Sequence, residues 1–423
     1  MIAATMHALV TIPSPFRLPM PSSNTAALSR LFCSAKAMMM STEVALWVVP
    51  AEGRSNRGAA TLRGEVQKVI PSKNFQGHPS QKLHILPDDQ LVEIGELNTS
   101  KTSSSEGGHH FPRERIILVD GNAILYRAYY KVMTQVHYGK LGDVDSEGDW
   151  VLTVFTTLST VLRLLELYPS HIAVIFDHTG LTFRHTLFPA YKGNRPPTPD
   201  TLQQGLHYIK PALLAMAMKV IEVPGVEADD VIGTLALTAV AAGMKVRIAS
   251  PDKDFFQILS SELRLLRFVP RGSGIVSFGI EEFAQRYGNL KPSQFVDVMA
   301  LVGDKVDNIP GVVGIGEKTA IQLISQYGSL EKVLEERNDV TIQRARKCLL
   351  EEKGEALLSK RLVALRADLP SYMIPYSLKD LSLQKPDDGG ENFFQLLKAM
   401  ASYVDGPYFN DLQQRSLDFW KKV

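Results

Sequence analysis

The chain has 423 residues, which at roughly 100–200 residues per domain allows two or three domains. Its 45% hydrophobic and 22% charged residues are typical of a globular protein and argue against a collagenous, membrane-spanning or wholly disordered chain. The 46 basic and 45 acidic side chains neither require nor exclude a nucleic-acid partner, because binding depends on where the charge lies. The two cysteines, Cys33 and Cys348, are too few for a disulfide framework or a cysteine zinc site.

The N-terminal region has the composition of a targeting segment. Residues 1–42 contain no Asp or Glu but include three basic residues and six serines, which predicts an organellar transit peptide. Four prolines between residues 13 and 21 interrupt the apolar run that a secretory signal would need. A disordered cytosolic tail is the alternative, and the composition does not separate plastid from mitochondrion. Residues 43–110 are polar and irregular and predict a disordered linker without a catalytic role.

Three short apolar runs predict buried parallel strands, at residues 116–119, 172–176 and 246–249. Helical patterns near 150–167, 201–219 and 228–242 lie between them, which is typical of an α/β parallel sheet covered on both faces. Each strand run leads to an aspartate, and ligands of such sheets bind beyond the carboxyl ends of the strands.

After about residue 280 the pattern becomes helical, with a glycine-rich turn in its middle. Gly314 and Gly316 precede a predicted helix, and a Gly-x-Gly turn can present several backbone N–H groups to one phosphate. Such a turn between two helices suits contact with a nucleic-acid backbone without base reading. Ordinary closure of a helix end is the alternative explanation of the glycines.

Nine acidic residues lie at strand ends, helix starts or turns: Asp120, Asp177, Glu227, Asp229, Asp230, Asp252, Asp254, Asp304 and Asp307. Each one alone could cap a helix or begin a turn. Together they would repel one another strongly unless they protonate or bind cations. Ligands that are all oxygen favour Mg²⁺ or Mn²⁺ over Zn²⁺. Two such ions about 3.5–4 Å apart suit the hydrolysis of phosphodiesters.

A basic cluster follows the second predicted strand and contains Arg184, Tyr191, Lys192 and Arg195. Arg and Lys can hold a scissile phosphate, and Tyr191 offers a ring on which a base could stack. The alternative is a solvated loop whose tyrosine packs on the core.

At these residues the sequence resembles a known family. From Arg115 to about residue 400 it resembles the 5′–3′ exonuclease domain of bacterial DNA polymerase I, within the flap endonuclease family, as a stand-alone organelle-targeted protein of plant type. The matching strings are ILVDG with YR at 117–127, VIFD at 174–177, FRH and YKGNR at 183–195, VPGVEADD at 223–230, DKD at 252–254, GDKVDNIPG at 303–311 and GIGEKTA at 314–320.

The resemblance implies a PIN-like parallel sheet flanked by helices, with a helical arch and a C-terminal helix-hairpin-helix region. The domain bounds that we expect are 1–42 transit peptide, 43–110 linker, 111–280 catalytic domain, 281–400 helix-hairpin-helix region and 401–423 C-terminal tail.

The resemblance also implies residue roles. Asp120, Asp177, Glu227, Asp229 and Asp230 would form one metal site, and Asp252, Asp254, Asp304 and Asp307 the second, for two Mg²⁺ or Mn²⁺ ions. Lys192, Arg184, Asp229 and Asp230 are the expected catalytic residues. The expected DNA contacts are Arg127, Tyr191, Lys192, Arg195, Gly314, Gly316, Lys318 and Thr319, with a monovalent cation at the hairpin.

The implied activity is metal-dependent removal of 5′ flaps or RNA primers from organellar DNA. The expected DNA partners are 5′ flaps, nicked or gapped duplexes and RNA-primed ends. Because no polymerase or proofreading sequence follows the matching region, we expect a separate DNA polymerase and ligase, no membrane partner, and a monomer. Two alternatives remain: a catalytically silent DNA-binding module of the same fold that recruits repair proteins, and a ribonuclease of the broader PIN class.

Overall fold

The computed structural model describes residues 114–138, 148–269, 274–351, 353–403 and 408–423, all within one compact unit. The predicted transit peptide 1–42 and linker 43–110 lie outside the described residues. None of the described helices is long and apolar enough to cross a membrane.

A six-stranded sheet organises the N-terminal half, with strand order β3-β2-β1-β4-β5-β6. Its strands are β1 Arg115–Asp120, β2 His171–Phe176, β3 Lys219–Glu222, β4 Lys245–Ala249, β5 Leu263–Phe268 and β6 Ile275–Phe278. All neighbouring pairs are parallel except the edge pair of β5 and β6, which is antiparallel.

Helices cover both faces of this sheet. In the N-terminal half they are α1 Gly121–His137, α2 Asp149–Leu165, α3 Phe183–Leu187, α4 Asp200–Ala215, α5 Ala228–Ala241 and α6 Ile280–Tyr287. Strand β1 is buried on both faces of the sheet. Ile116 and Leu118 enter the first apolar core, and Ile117 and Val119 enter the second core on the opposite face. A strand buried on both faces needs an unbroken apolar run, which is the pattern that predicted it.

The PIN-like α/β class expected from the sequence is therefore confirmed, and the three predicted strands and three predicted helices are present. The sequence reading missed β3, β5 and β6. β5 reads Leu-Arg-Leu-Leu-Arg-Phe, and its arginines break the apolar run that identified the central strands.

The C-terminal half is helical, with a tight loop and a hairpin after its first helix. Its helices are α7 Phe295–Val302, α8 Glu317–Tyr327, α9 Leu330–Glu335, α10 Gln343–Glu351, α11 Lys353–Val363, α12 Glu391–Ala401 and α13 Tyr408–Trp420. The region predicted as a C-terminal tail thus contains α13, whose Leu412, Phe419 and Trp420 are buried in the second core.

Candidate active site

Acidic side chains lie together at the carboxyl ends of the parallel strands, a place that we call the acidic edge. Asp120 is the last residue of β1, and Asp177 directly follows β2. Asp252 lies three residues beyond β4, which pairs with β1 on its other side. Because these strands are parallel, their carboxyl ends meet at the same edge, and α5 begins there with Glu227 as its N-cap residue.

Hydrogen bonds from neighbouring groups fix two of these carboxylates. The Oδ1 atom of Asp120 accepts from the Ala123 N–H at 2.9 Å, which caps α1, and its Oδ2 atom accepts from the Ser250 hydroxyl at 2.8 Å. Asp177 accepts from the Asn122 amide at 2.7 Å and from the Ala228 N–H at 2.8 Å. Both side chains are therefore oriented by the first turns of α1 and α5.

The second predicted group connects β4 to the loop after α7. Asp252 accepts from the Asp254 N–H at 2.9 Å, and the Lys253 ammonium lies 3.5 Å from Asp304. Asp304 also accepts from the Val306 N–H at 2.7 Å and so closes its own loop. The two halves of the chain thus meet at the acidic edge.

Crowding shifts the protonation of these acids. Burial, together with the charges of Asp177 and Asp252, raises the pKa of Asp120 to about 7. Burial and neighbouring carboxylates also raise the pKa of Asp229 and of Asp254 well above the ordinary value. Within the described part of the chain, neither of these two carboxylates accepts a hydrogen bond. Lys192 and Lys253 offset part of the repulsion, but the raised pKa values show that these buried acids resist being charged all at once.

Glu227 behaves differently because cations surround it. Burial acts to raise its pKa, but Lys192 and Arg184 outweigh that effect and hold the pKa below the ordinary value. The Lys192 ammonium donates to Glu227 at 3.0 Å. Burial acts to lower the pKa of Lys192, yet Glu227 and Asp307 raise it overall, so the ammonium stays charged.

Arg184 and Asp230 lie deeper than the sequence reading expected. Arg184 is 3% exposed and Asp230 0% exposed, and two guanidinium nitrogens donate to the Asp230 carboxylate at 2.7 and 2.9 Å. Arg184 also donates to Glu227 at 2.8 Å and to the carbonyls of Leu362 and Ala364. In this position Arg184 has no free donor face for a phosphate, and Asp230 is committed to the ion pair.

Tyr191 lies in the core, the alternative position that the sequence left open. It is 4% exposed, and its hydroxyl oxygen lies 3.2 Å from Glu227 and 3.3 Å from Asp307, so the single O–H is shared between the two carboxylates. Its ring therefore offers no face on which a base could stack. The neighbouring Lys192 and Arg195 reach solvent, and Arg195 forms an ion pair with Asp307.

Arg127, a predicted DNA contact, lies over the Phe268 ring at the end of β5. Its guanidinium is 5.2 Å from the ring centroid and donates to the Val269 carbonyl at 2.7 Å. Burial and the nearby Arg163 lower its pKa. Arg127 is thus partly committed to packing at the end of β5.

The predicted hairpin is formed between α7 and α8. Val312 and Ile315 are buried, whereas Gly314 and Gly316 are exposed. Gly314 has φ +92, a left-handed conformation that favours glycine. Gly316 is the N-cap of α8, and a Cβ there would have no neighbour within 4 Å. Among the described residues no side chain caps this helix start, which leaves its first N–H groups without a capping acceptor. Lys318 is exposed and Thr319 half-buried on the first turn of α8.

The donor set fits a hard divalent cation in kind, because every candidate ligand is a carboxylate oxygen. Among the described side chains, however, no three His, Cys, Asp or Glu residues stand in an arrangement that could hold a metal ion in common. Asp229 and Asp254 are the candidate ligands whose carboxylates remain without a hydrogen-bond partner in the described part of the chain.

Sequence reasoning missed the polar residues that orient the acids. Asn122 and Ser250 each lie two positions from a predicted ligand, Asp120 and Asp252 respectively. That spacing was visible in the sequence, but nothing in it indicated that Ser250 would reach across to β1.

Two family models match the chain. A 5′-3′ exonuclease N-terminal resolvase-like domain matches residues 115–288, and a 5′-3′ exonuclease C-terminal SAM fold matches residues 290–389.

Curated relatives include two bacterial polymerases. The thermostable DNA polymerase I of Thermus filiformis is 36% identical over 283 residues, which cover 67% of this chain and 32% of that protein. The DNA polymerase I of Bacillus subtilis (strain 168) is 36% identical over 259 residues, which cover 61% of this chain and 28% of that protein. The chain thus spans about a third of the length of these relatives.

Solved structures give weaker similarity. The T5 D15 protein co-crystallised with metal ions has a TM-score of 0.48 and 20% identity, covering 69% of this chain and 100% of that one. The catalytic core of Rad2 in complex with DNA substrate has a TM-score of 0.46 and 12% identity, covering 73% of this chain and 92% of that one.

Together the two family models cover more than half of the chain and meet where the sheet gives way to the helical half. Over residues 115–389 the chain belongs to the 5′–3′ exonuclease family.

Proposed function

We propose that the chain is a divalent-metal-dependent 5′–3′ exonuclease and structure-selective flap endonuclease that hydrolyses phosphodiester bonds in DNA. The observation that carries this proposal is the acidic edge of the sheet with Lys192 beside it. Carboxylates from both halves of the chain interact there, and Lys192 is the ammonium group that contacts Glu227 and lies 3.9 Å from Asp307.

The acids at this edge would hold two Mg²⁺ or Mn²⁺ ions. Asp229 and Asp254 accept no hydrogen bond from the described residues, while Asp120, Asp177, Asp252, Asp304 and Asp307 each accept one or form an ion pair and keep further lone pairs for a metal ion. When bound, such ions activate water and stabilise the leaving oxygen of a phosphodiester.

The chain's own cations act on the phosphate. Lys192 keeps its charge and is partly exposed, so its ammonium can bind a non-bridging oxygen of the scissile phosphate and stabilise the charge that develops there. Arg195 forms an ion pair with Asp307, is the more exposed of the two, and can contact the next phosphate. In the overall reaction, water adds to phosphorus, the bond to the leaving oxygen breaks, and that oxygen takes up a proton.

Arg184 and Asp230 are buried residues that support the site. Their buried ion pair fixes Glu227 and joins the start of α5 to the carbonyls at the end of α11. We therefore assign them a positioning role in place of the catalytic role that the resemblance implied.

The hairpin would hold the duplex part of the substrate. Exposed N–H groups at the start of α8, together with Lys318, can bind a backbone phosphate, and a monovalent cation at the hairpin carbonyls would serve the same contact. Binding of this kind weakens steeply with salt, because it is made mainly to phosphates.

A substrate panel tests the proposal. The full chain is incubated with 5′-labelled DNA flaps, RNA flaps, nicked duplex and single strands, with Mg²⁺, with Mn²⁺ or with chelator. We expect metal-dependent cutting near the flap junction, and no cutting in chelator.

Two other outcomes would identify the alternatives. Tight binding of all junctions without cutting in either metal indicates the silent recruitment module. Cutting restricted to RNA strands without a duplex requirement indicates a ribonuclease of the PIN class.

We further propose that the activity serves replication and repair of DNA in a plastid or mitochondrion, with the protein acting as a monomer beside a separate polymerase and ligase. The acid-free composition of residues 1–42 supports the organellar location. Residues 1–110 fused to a fluorescent protein should enter an organelle, and a diffuse cytosolic signal would contradict this part of the proposal.

A further inference from the structure

Two loops from different halves of the chain are joined beside the acidic edge. Residues 190–195 follow α3, and residues 304–308 follow α7. The two family models meet between residues 288 and 290, so each loop belongs to a different model. We call the joined pair of loops the clasp.

Two asparagines close the clasp reciprocally. The side-chain amide of Asn194 donates to the Lys305 carbonyl at 2.7 Å, and that of Asn308 donates to the Ala190 carbonyl at 2.7 Å. Each loop thus supplies one amide donor and one main-chain acceptor. A shift of either loop would break both bonds together.

Lys192 and Asp307 are also joined through the backbone. The Lys192 N–H donates to the Asp307 carbonyl at 2.9 Å, between the two asparagine bonds. Lys192 has φ 56 and Asn308 has φ 57, a left-handed conformation that is costly for residues with a side chain. Such a conformation persists only where surrounding contacts hold it, and the asparagine bonds are contacts of this kind.

The loop 304–308 is itself rigid. The N–H groups of Asp304 and Ile309 exchange hydrogen bonds with each other's carbonyls at 2.9 and 2.6 Å. Gly303 and Gly311 pass so closely that a Cβ on Gly303 would lie 2.5 Å from the Ile309 carbonyl. The loop 190–195 is therefore fastened to a firm support.

The asparagine side chains contribute little to the stability of the fold. Asn194 is exposed and Asn308 is half-buried, and their acceptors are carbonyls at the surface of the two loops. Exposed groups of this kind can be solvated by water when a bond is lost, so their contribution to folding is small. Their geometric effect falls on Lys192, which lies two residues before Asn194.

We propose that Asn194 and Asn308 are positioning residues that set the Lys192 ammonium relative to Glu227 and Asp307 and so couple the two halves of the chain. This inference rests on the proposed nuclease function, in which Lys192 binds the scissile phosphate. A small displacement of such a group lowers the rate of the chemical step more than it lowers substrate binding.

The test compares the Asn194→Ala and Asn308→Gly variants of the full chain with the wild type. Asn289→Ala, at an exposed asparagine after α6, is the matched control. Glycine is used at position 308 because it removes the side-chain amide and accepts the left-handed backbone without strain. Single-turnover flap cutting is measured beside hydrogen exchange of peptides that cover residues 188–196 and 303–310.

We expect the rate to fall by about tenfold or more in both variants, with substrate affinity changed by less than about threefold. Exchange should rise in the two clasp peptides and nowhere else, while the control matches the wild type. Unchanged rates, or unchanged exchange in both loops, would overturn the inference, as would a rise in exchange throughout the chain.

The exchange measurement separates the two proposals. If the wild-type chain does not cut any flap, the proposed function fails, but loosening of both loops by either single variant still demonstrates the clasp. If the wild type cuts and the variants cut equally well, only the clasp inference fails.

Discussion

Arg184 holds two acids in place, since its guanidinium lies between Glu227 and Asp230 with little exposure to solvent. The string Phe-Arg-His identified this arginine but not the direction of its side chain, because direction depends on what packs around α3. The guanidinium also donates hydrogen bonds to the carbonyls of Leu362 and Ala364, nearly 180 residues further along the chain. A one-dimensional motif does not contain that information.

Replacing Arg184 by methionine should destabilise the protein by about 3–5 kcal/mol, because it leaves Asp230 buried without a counter-charge and removes one of the two cations at Glu227. Urea unfolding of Arg184→Met measures the loss. Lys421→Ala, at an ion pair whose lysine side chain is 70% exposed, should change stability by less than about 0.5 kcal/mol. Equal stability of the Arg184→Met protein and the wild type would contradict the buried arrangement.

The raised pKa of Asp120 predicts a pH effect with a definite sign. The folded state binds the proton more tightly than the unfolded chain, so the stability from this group is complete below pH 3.8 and is lost as the pH rises through about 7. Asp120→Asn removes this titration and keeps an acceptor for the cap. In chelator, the melting temperature of Asp120→Asn relative to the wild type should be higher at pH 8 than at pH 5. The opposite trend would show that burial and the neighbouring charges do not raise the pKa of Asp120.

Among the elements, the candidate site residues lie at the junctions between loops and helices. The strands deliver acids to one edge, the clasp places Lys192 against them, and the hairpin presents the start of α8 to solvent. Gly314 and Gly316 predicted the hairpin from the sequence, because few other residues accept the left-handed backbone that Gly314 adopts. The clasp was not identified, since reciprocal asparagine bonds between distant loops leave no periodic or compositional pattern.

Gly316→Glu tests the hairpin contact. Position 316 has room for a side chain and an ordinary backbone angle, so folding should be unaffected. A carboxylate there would repel a phosphate at the start of α8 and weaken DNA binding by roughly tenfold, or about 1.4 kcal/mol.

The salt dependence of Gly316→Glu binding should also become shallower, by about one in the logarithmic slope. Gln285→Glu on α6 adds the same charge at an exposed site and is the control. Equal loss of affinity in both variants would show that net charge, and not the hairpin, is responsible.

At the scale of the whole molecule, the structure extends beyond the family models. Helices α12 and α13 follow residue 389 and pack on the second core, with Phe393, Leu397 and Trp420 buried. The central strands, the main helices and the hairpin could be predicted, because apolar periodicity and glycine report local structure. The docking of α13 on α2 could not be predicted, because α13 is polar on average and nothing in the sequence pairs its few apolar residues with α2.

Trp420→Ala should lower the free energy of unfolding by about 3–5 kcal/mol, since it removes a buried ring that packs near Phe393 and Phe394. Its cutting rate per folded molecule should stay unchanged, because α13 lies outside the clasp and the acidic edge. Thermal unfolding beside Tyr372→Ala, an 82% exposed ring, measures the difference. A stability equal to that of the control would show that α13 does not belong to the core.

Single-turnover cutting of a 5′-labelled flap in Mg²⁺, by the wild-type chain and by Asp229→Ala, decides whether the acidic edge is the catalytic centre. Affinity for the same flap is measured in the same samples, and Asp387→Ala, at an exposed loop position, serves as the control. We predict cutting by the wild type and the control, and loss of at least about a thousandfold in rate for Asp229→Ala with most of its binding retained. Cutting by Asp229→Ala at the wild-type rate would contradict the assignment of the acidic edge as the catalytic centre.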